Sequence, residues 1–412
     1  MALRHRDRPQ LDEISWRWRS STDGQEQIRP GTPAAAAGIL DSGETFWRDL
    51  QPWLSQCGFR LRPRFRRGWI PSWKTPGASV VIGSTEIPSE DSWGLRRPQL
   101  MDAVRIIDGL PIVLKRISNA LHRFESEIHR HIASPNSPFS ESLEPKNHCV
   151  PLFNILHPPD NTEALILVMP LMRKYDDPPF DTVGEVVDFF QQIFEGLQFM
   201  HKHHIAHRDC CSDNIMMAAN DMYPKGFHPQ YQDNSLDMTT RASHLTRTER
   251  PPKYYFIDFG ISVRFQPDEP HLALPIVGAD QTVPEYQNGG TMYPLDPFRT
   301  DVYFLGNLIR EEFLDGQADP RYMLCEGRIG FEFMRPLVKD MVNPDPAERP
   351  TMDEVVLRFE KIKSELSIEK LRSRVRSKKE ILVFNIPTVI AHWHRKLRYV
   401  INDTPPIPVY RP

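Results

Sequence analysis

Two short motifs in the second half of the chain supply three oxygen-bearing side chains at informative positions. The tripeptide His-Arg-Asp ends at Asp209, five residues before Asn214, and the tripeptide Asp-Phe-Gly begins at Asp258. Transfer of a phosphoryl group needs a carboxylate that accepts the proton of the attacking hydroxyl, and oxygen ligands that hold Mg²⁺ against the phosphates. Asp209 suits the first role, and Asn214 and Asp258 suit the second. The sequence therefore predicts phosphoryl-transfer chemistry.

Four further motifs accompany these two in a fixed order between about residues 100 and 362. They are Ile112-Val113-Leu114-Lys115, Val283-Pro284-Glu285, Asp301-Val302-Tyr303-Phe304-Leu305-Gly306 and Glu348-Arg349-Pro350-Thr351. A single tripeptide recurs by chance, whereas six ordered motifs with sensible spacing are specific. By these motifs the chain resembles the eukaryotic protein kinases. More narrowly, it resembles the divergent protein-kinase-like proteins that are numerous in basidiomycete fungi.

The resemblance implies a fold and a set of roles. The fold would be α+β and bilobal, with a small β-rich N-lobe and a larger helical C-lobe. Asp209 would be the catalytic base, and Lys115 would grip the α- and β-phosphates of ATP. Asn214 and Asp258 would be the Mg²⁺ ligands. Asp301 would hydrogen-bond the backbone of the catalytic loop, and Arg349 would pair with Glu285.

Lys115 is expected to pair with a glutamate on the helix that follows its strand. Residues 120–133 are predicted to form that helix, with Phe124, Ile128 and Ile132 as its apolar stripe. Glu127 is the favoured partner. Glu125, which points to nearly the opposite helix face, is the alternative.

The segment that would contact adenine follows a buried apolar strand. Residues 164–169 form a continuous apolar run, as a strand buried on both faces would. By resemblance, Met169 is the residue at the back of the nucleotide site. Leu171 and Met172 would belong to the hinge that meets adenine.

The phosphate-binding region departs from the family pattern. Where kinases have a glycine-rich loop, residues 93–101 contain only Gly94. Arg96 and Arg97 could neutralise phosphate there in place of backbone amides, or could form a solvated surface pair. Two positions that usually supply a catalytic-loop cation hold Cys211 and Asp213. Such a change removes stabilisation of the transferred phosphoryl group.

The substrate-binding loop departs as well, because Thr282 stands closer to Pro284-Glu285 than the usual threonine does. The favoured function is nevertheless an ATP- and Mg²⁺-dependent kinase that phosphorylates Ser or Thr in a protein substrate. The alternative is a pseudokinase, which binds a partner or acts as a scaffold without catalysis. A small-molecule kinase of the aminoglycoside or choline type would not be expected to carry Pro284-Glu285 together with the Asp301 motif.

Composition limits the remaining functional classes. The net charge of −3 gives no whole-protein field that would attract nucleic acid. The first residues lack the apolar segment of a signal peptide, and no apolar run is long enough to span a bilayer. Five cysteines, an odd number without metal-site spacing, favour a reducing compartment. We expect an intracellular protein, cytoplasmic or nuclear, with no membrane partner; the sequence does not indicate its oligomeric state.

Four regions are predicted along the chain. Residues 1–95 form an N-terminal extension that is partly disordered and has a basic and aromatic arm at 45–74. Residues 96–172 form the N-lobe, and residues 173–362 form the C-lobe with a long insert at 218–253. Residues 363–412 form a basic tail. In the arm, apolar and basic residues alternate from Phe59 to Arg66, which favours a half-buried strand packed on the kinase domain over a docking site for an acidic partner or nucleic acid.

Overall fold

The computed structural model describes residues 38–74, 89–120, 122–134, 136–138, 144–159, 161, 163–276, 278–287, 293–316, 327–380 and 386–410. The N-terminal stretch to residue 37, predicted to be disordered, lies outside these residues, as does Cys325. The described chain combines a five-stranded sheet with several helices, so the architecture is mixed α+β and compatible with a kinase-like fold.

A five-stranded antiparallel sheet forms the first part of the structure. Its strands, in the order β1-β2-β3-β5-β4, are β1 (Phe59–Leu61), β2 (Leu100–Arg105), β3 (Pro111–Ser118), β5 (Ala164–Pro170) and β4 (Asn154–Leu156). The dipeptide Asp108-Gly109, typical of a hairpin turn, lies between β2 and β3, and Gly109 has a φ of 73°, which glycine adopts without strain. Because β1 belongs to this sheet, the sheet includes residues that the sequence assigned to the N-terminal extension.

The two faces of this sheet pack differently. Helix α1 (Ser42–Gln56) covers one face, where Trp47 and Leu54 join an apolar cluster with Ile112 and Leu114 of β3. Side chains alternate along a strand, so Val113 and Lys115 point to the opposite face. That second face looks toward the helical part of the chain and forms one wall of the candidate site.

The helical part is built around α3 (Val183–Lys202). The spacing Thr182-x-x-Glu185 is typical of a capping box at a helix start, and the structure has this box: the Thr182 side chain accepts from the Glu185 backbone, and the Glu185 side chain accepts from the Thr182 backbone. The other helices are α2 (Arg123–Ile128), α4 (Pro297–Ile309), α5 (Arg335–Met341), α6 (Met352–Ser364), α7 (Ile368–Leu371) and α8 (Ile386–Ile401). Two of them continue as π-helices, α2 into His129–Ala133 and α4 into Arg310–Asp315.

Short strands position the loops between these helices. They are β6 (Arg173–Lys174), β7 (Ile205–Ala206), β8 (Ile215–Ala218), β9 (Lys253–Phe256), β10 (Val263–Arg264), β11 (Arg328–Ile329) and β12 (Arg376–Ser377). Strand β8 pairs with β6 and β9, and β7 pairs with β10. The predicted long insert occupies residues 219–252, between β8 and β9. No helix among the described residues has both the length and the apolar content that a membrane crossing requires.

The two flanks of the chain pack in opposite ways. In the arm, the apolar residues Phe59, Leu61 and Phe65 are buried, but only Phe59–Leu61 form the predicted strand, because Pro63–Phe65 form a 3₁₀ turn. Its basic residues do not all face solvent, because Arg64 is buried and forms an ion pair with Glu44 at 2.8 Å. In the tail, by contrast, Trp393 of α8 is 61% exposed.

Candidate active site

The loop that carries Asp209 is fixed by a buried carboxylate on α4. Asp301 Oδ2 accepts a hydrogen bond from the backbone nitrogen of His207 at 2.8 Å, and Oδ1 accepts one from the backbone nitrogen of Arg208 at 2.6 Å. These two bonds hold the Arg208 backbone at a φ of 70°, a conformation that residues other than glycine rarely adopt. The predicted contact between Asp301 and the loop backbone is confirmed.

The Arg208 and His207 side chains connect this loop to the segment that begins at Asp258. Arg208 donates to the carbonyl oxygens of Ile261, at 3.3 Å, and Leu274. His207 Nε2 lies 3.1 Å from the carbonyl oxygen of Ile257. The segment that begins at Asp258 is therefore bonded to the loop that carries Asp209 at several points.

Both carboxylate oxygens of Asp209 accept hydrogen bonds from the protein. Asn214 Nδ2 donates to Oδ2 at 2.8 Å and to the Asp209 carbonyl oxygen at 2.9 Å. The backbone nitrogen of Ala279 donates to Oδ1 at 2.7 Å. A Cβ atom placed on Gly278 would lie 2.5 Å from the same oxygen, so the chain passes directly over the carboxylate. Residues 278 and 279 therefore lie against Oδ1 of Asp209.

Lys115 forms two ion pairs across the cleft between the sheet and the helical part. Its ammonium nitrogen lies 2.6 Å from Glu125 Oε1 and 2.9 Å from Asp258 Oδ1. Burial by itself would lower the pKa of Lys115, but the Asp258 and Glu125 carboxylates outweigh that effect and raise the pKa. Lys115 therefore stays charged and lies next to both the α2 helix and the Asp-Phe-Gly motif.

The structure corrects the predicted partner of Lys115, which is Glu125 and not Glu127. Glu125 is 1% exposed and faces the sheet, whereas Glu127 is exposed. The predicted apolar stripe was also wrong at one position, because Phe124 is 53% exposed. The short helix α2 is rotated relative to the orientation that this stripe implied, and the rotation turns Glu125 inward.

Asp258 and Asn214 are brought close by strand pairing. Strands β8 and β9 pair antiparallel, and the backbone nitrogen of Ile257 donates to the Asn214 carbonyl oxygen at 3.0 Å. Asp258 has a φ of 64°, a strained conformation that is common in functional loops. Although burial works to raise it, the pKa of Asp258 is lowered to about 2 by the charge of Lys115.

The side-chain oxygens of Asp258 and Asn214 suit magnesium. Both supply side-chain oxygen, the ligand type that Mg²⁺ prefers, and the Asp258 side chain is 37% exposed. Among the described residues, no group of three or more His, Cys, Asp or Glu side chains could hold a metal ion. An ion held by Asp258 and Asn214 would therefore need further oxygens from phosphate or water.

The predicted hinge residues lie between β5 and β6. Leu171 and Met172 are buried, and Met169, at the end of β5, is half-buried. The carbonyl oxygen of Met172 accepts a hydrogen bond from Gln232 Nε2 at 2.8 Å. Sequence reasoning did not identify this contact, because nothing in the polar composition around Gln232 indicates a position next to the hinge.

The positions that departed from the family pattern supply no cation at Asp209. Burial raises the pKa of the Cys211 thiol well above its usual range, and Asp209 and Asp213 add to that effect. The Asp213 side chain is exposed. Arg96 and Arg97 are also exposed, and the Arg96 guanidinium lies 5.5 Å from the ring centre of Tyr231.

A buried ion pair anchors the chain at Glu285, in the Val283-Pro284-Glu285 motif. Arg349 donates to both carboxylate oxygens of Glu285, at 2.7 and 2.6 Å. Thr282 donates to Asp280 Oδ1 at 2.7 Å, and its hydroxyl lies 3.2 Å from that of Tyr303. The predicted pairing of Glu285 with Arg349 is confirmed, and Thr282 packs against α4.

Comparison with known proteins gives partial similarity to kinases. The chain is 27% identical over 199 residues to "Light-sensor Protein kinase" of Ceratodon purpureus, and the aligned region covers 43% of this chain and 14% of that protein. It is 30% identical over 112 residues to "Serine/threonine-protein kinase CAK1" of Saccharomyces cerevisiae, covering 27% and 22% respectively. No family model matches the chain. The chain thus spans less than a quarter of the length of these relatives, and its similarity to them is that of a distant, kinase-like protein.

Proposed function

We propose that this protein is an ATP-dependent kinase that transfers the γ-phosphoryl group to a Ser or Thr hydroxyl of a protein substrate. The observation that carries the proposal is the ion pair between Lys115 and Asp258, which are 143 residues apart in sequence. It brings the lysine that would orient ATP to the carboxylate that would hold the metal. The sheet with α2 and the larger helical part would be the two lobes of this kinase.

Each group has a distinct task in this proposal. Lys115, held in place by Glu125, would contact the α- and β-phosphates. Asp258 and Asn214 would hold Mg²⁺, which neutralises negative charge on the phosphates. Asp209 would orient the substrate hydroxyl and accept its proton, with Asn214 fixing the direction of the carboxylate. Leu171 and Met172 would contact adenine.

A pseudokinase that binds a partner is the second candidate. Two observations favour it: the catalytic loop carries Cys211 and Asp213 where a cation is usual, and Ala279 occupies one oxygen of Asp209. Such a protein would keep the fold, with or without nucleotide binding, and would not transfer phosphate. Asp209 decides between the two candidates, because only the kinase needs its carboxylate.

The test combines binding with transfer. Nucleotide affinity is measured with Mg²⁺ and with EDTA, and transfer from γ-labelled ATP is measured to a mixture of Ser/Thr peptides. The kinase proposal expects Mg²⁺-dependent binding, and transfer that is lost in Asp209→Asn while binding persists. Mg²⁺-dependent binding without transfer would support the pseudokinase, and absence of nucleotide binding would overturn the kinase proposal.

A further inference from the structure

Part of the insert between β8 and β9 reaches across to the five-stranded sheet. Residues 228–232, His-Pro-Gln-Tyr-Gln, form this crossing segment, which we call the strap. The strap is attached to the helical part through its neighbours, since Phe227 and Tyr223, whose ring centres are 5.0 Å apart, belong to the apolar core that also contains the buried face of α3. The strap therefore links the five-stranded sheet to the helical part, the two parts of the chain that enclose the candidate site.

One end of the strap is bonded to the hinge. Gln232 Nε2 donates to the Met172 carbonyl oxygen at 2.8 Å, and the Gln232 carbonyl oxygen accepts from the Arg173 guanidinium. Arg173 is buried, so this contact is shielded from solvent. The hinge backbone at Met172 is thus engaged by the protein itself.

The other end of the strap is bonded to the sheet. Gln230 Nε2 donates to Asp102 Oδ1 at 2.7 Å, and Gln230 Oε1 accepts from the Arg96 backbone nitrogen at 3.2 Å. The Tyr231 and Trp93 rings meet edge-on, with their centres 3.8 Å apart. Arg96 and Trp93 belong to the stretch where kinases have the glycine-rich loop, so the strap holds that stretch in place.

The strand register shows which face of the sheet the strap covers. Asp102 of β2 lies opposite Val113 of β3, and Val113 lies opposite Met169 of β5. Residues directly opposite each other share a face, and so do residues two positions apart on one strand. The side chains of Asp102, Val113 and Met169 therefore point to the same face as Lys115, which follows Val113 by two residues on β3. Successive strands are about 4.8 Å apart, which puts Asp102 roughly 10 Å from Met169 across the row. Gln230 therefore contacts the cleft face, beside the wall predicted to meet adenine.

The chemistry on this part of the face is polar and charged. Asp102 is 3% exposed and pairs with Arg62 at 2.8 Å, and Arg62 also pairs with Glu90 at 3.0 Å. His228 Nε2 lies 3.5 Å from Glu90. A flat aromatic base needs an apolar slot, and a buried carboxylate that has lost its partners is costly. The strap and its charged partners therefore give this part of the face a polar lining, unlike the apolar slot that a base needs.

We infer that the strap closes the adenine end of the cleft from within, so that nucleotide enters only after residues 228–232 leave the sheet and the hinge. The inference rests on the proposed function for the identity of the ligand. Its geometric part, a strap bonded to the hinge and to Asp102, the residue opposite Val113, is independent of that function. When only a fraction of molecules is open, the apparent affinity falls by that fraction. Weakening the strap should therefore tighten nucleotide binding.

The first experiment uses the full chain with Gln230→Ala/Tyr231→Ala/Gln232→Ala. The matched control is Lys225→Ala/Arg241→Ala, which changes two exposed residues of the same insert. Binding of a fluorescent ATP analogue is measured with Mg²⁺, and thermal unfolding confirms that each variant is folded. We expect the triple variant to bind at least tenfold more tightly and the control to match the unmodified chain. Unchanged or weaker binding in a folded triple variant would overturn the inference.

The second experiment needs no nucleotide. Val113→Cys, nearly the same size, is placed in the unmodified and strap-variant chains, and the rate of maleimide labelling at position 113 is read by peptide mass spectrometry. We expect labelling at least fivefold faster in the strap variant; equal rates would show that the strap does not cover this face. Faster labelling without nucleotide binding in any variant would support the strap and reject the proposed function.

Discussion

The ammonium nitrogen of Lys115 lies 2.6 Å from Glu125 Oε1, and both side chains are almost completely buried. This pair joins the sheet to α2, which makes the position of the helix part of the candidate site. Burial raises the pKa of Glu125 even though the charge of Lys115 opposes that effect. Each charge in this pair therefore needs the other, since a buried charge without a counter-charge is costly.

Replacing Glu125 is expected to reduce stability and nucleotide binding together. Glu125→Gln leaves Lys115 with Asp258 as its remaining carboxylate partner among those described above, and should cost about 3 kcal/mol of unfolding free energy. Lys115 would also be held less firmly, so Mg²⁺-ATP affinity should fall about tenfold, or by ~1.4 kcal/mol. Chemical denaturation and nucleotide titration measure the two effects.

The control for this prediction is Glu127→Gln, two residues away on the exposed side of α2. It should change stability by less than about 0.5 kcal/mol, as most surface substitutions do. Equal losses in the two variants would contradict the assignment of Glu125 as the functional partner.

The choice between the two glutamates shows where sequence reasoning reached its limit. The strand of Lys115, the capping box of α3 and the pairing of Glu285 with Arg349 were predictable, because each depends on local pattern or on motif order. The rotation of α2 was not, since the side of this short helix that faces the sheet depends on tertiary packing, which buries Glu125 with Ile128 and leaves Phe124 exposed. A pattern of apolar residues does not indicate that a charged side chain lies on the buried side of a helix.

The strap shows a second kind of limit. Its contacts to Asp102 and Met172 come from Gln230 and Gln232, uncharged polar residues in a long loop. Such residues carry no periodic signal, and their partners are 128 and 60 positions away in sequence. The sequence could predict that an insert exists, but only the folded chain brings it to the sheet.

The buried pair of Glu285 and Arg349 should be important for stability. Arg349→Ala would leave the Glu285 carboxylate, 7% exposed, without its two charged hydrogen bonds. Removing one partner of a buried pair typically costs about 3–5 kcal/mol. Urea denaturation should detect the loss. Arg358→Ala is the matched control, because the pair of Arg358 with Asp340 is exposed and should contribute less than about 1 kcal/mol.

The tail helix α8 packs by its polar side, which reverses an expectation from its sequence. Exposure of Ile390 and Trp393 would make them an aggregation hazard, so the sequence predicts that they pack on the domain. In the structure they are 63% and 61% exposed. The helix is instead anchored by Arg395, which donates to both carboxylate oxygens of Asp181 at 2.8 and 2.9 Å.

Substitutions in α8 should therefore separate its two sides. Arg395→Ala should loosen the tail and make α8 more sensitive to limited proteolysis, with a cost of about 1–2 kcal/mol for the lost charged hydrogen bonds. Ile390→Gln and Trp393→Gln should leave unfolding unchanged and raise solubility. Strong destabilisation by either glutamine variant would show that this side of α8 is packed.

The last prediction concerns a buried carboxyl on α3. Asp188 is 7% exposed, and its Oδ2 accepts from Gln192 Nε2 at 2.9 Å. Burial raises the pKa of Asp188 from 3.8 to about 8, although the bond from Gln192 opposes this, and the nearby Glu185 and Glu195 carboxylates raise it further. In the folded protein the carboxyl therefore keeps its proton up to about pH 8, whereas in the unfolded chain it loses the proton near pH 3.8.

The unfolded state thus binds fewer protons than the folded state between these two pH values. The stability of the protein should consequently fall as pH rises through this window, by up to about 1.4 kcal/mol per pH unit from this group alone. Asp188→Asn keeps a group that can bond Gln192 but has no proton to lose. We expect the variant to match the unmodified chain near pH 4 and to be more stable by about 2 kcal/mol or more near pH 8. Urea unfolding at a series of pH values measures this difference, with the exposed Asp268→Asn as control. Curves for Asp188→Asn and the unmodified chain that stay parallel across the series would mean that Asp188 is ionised in the folded protein.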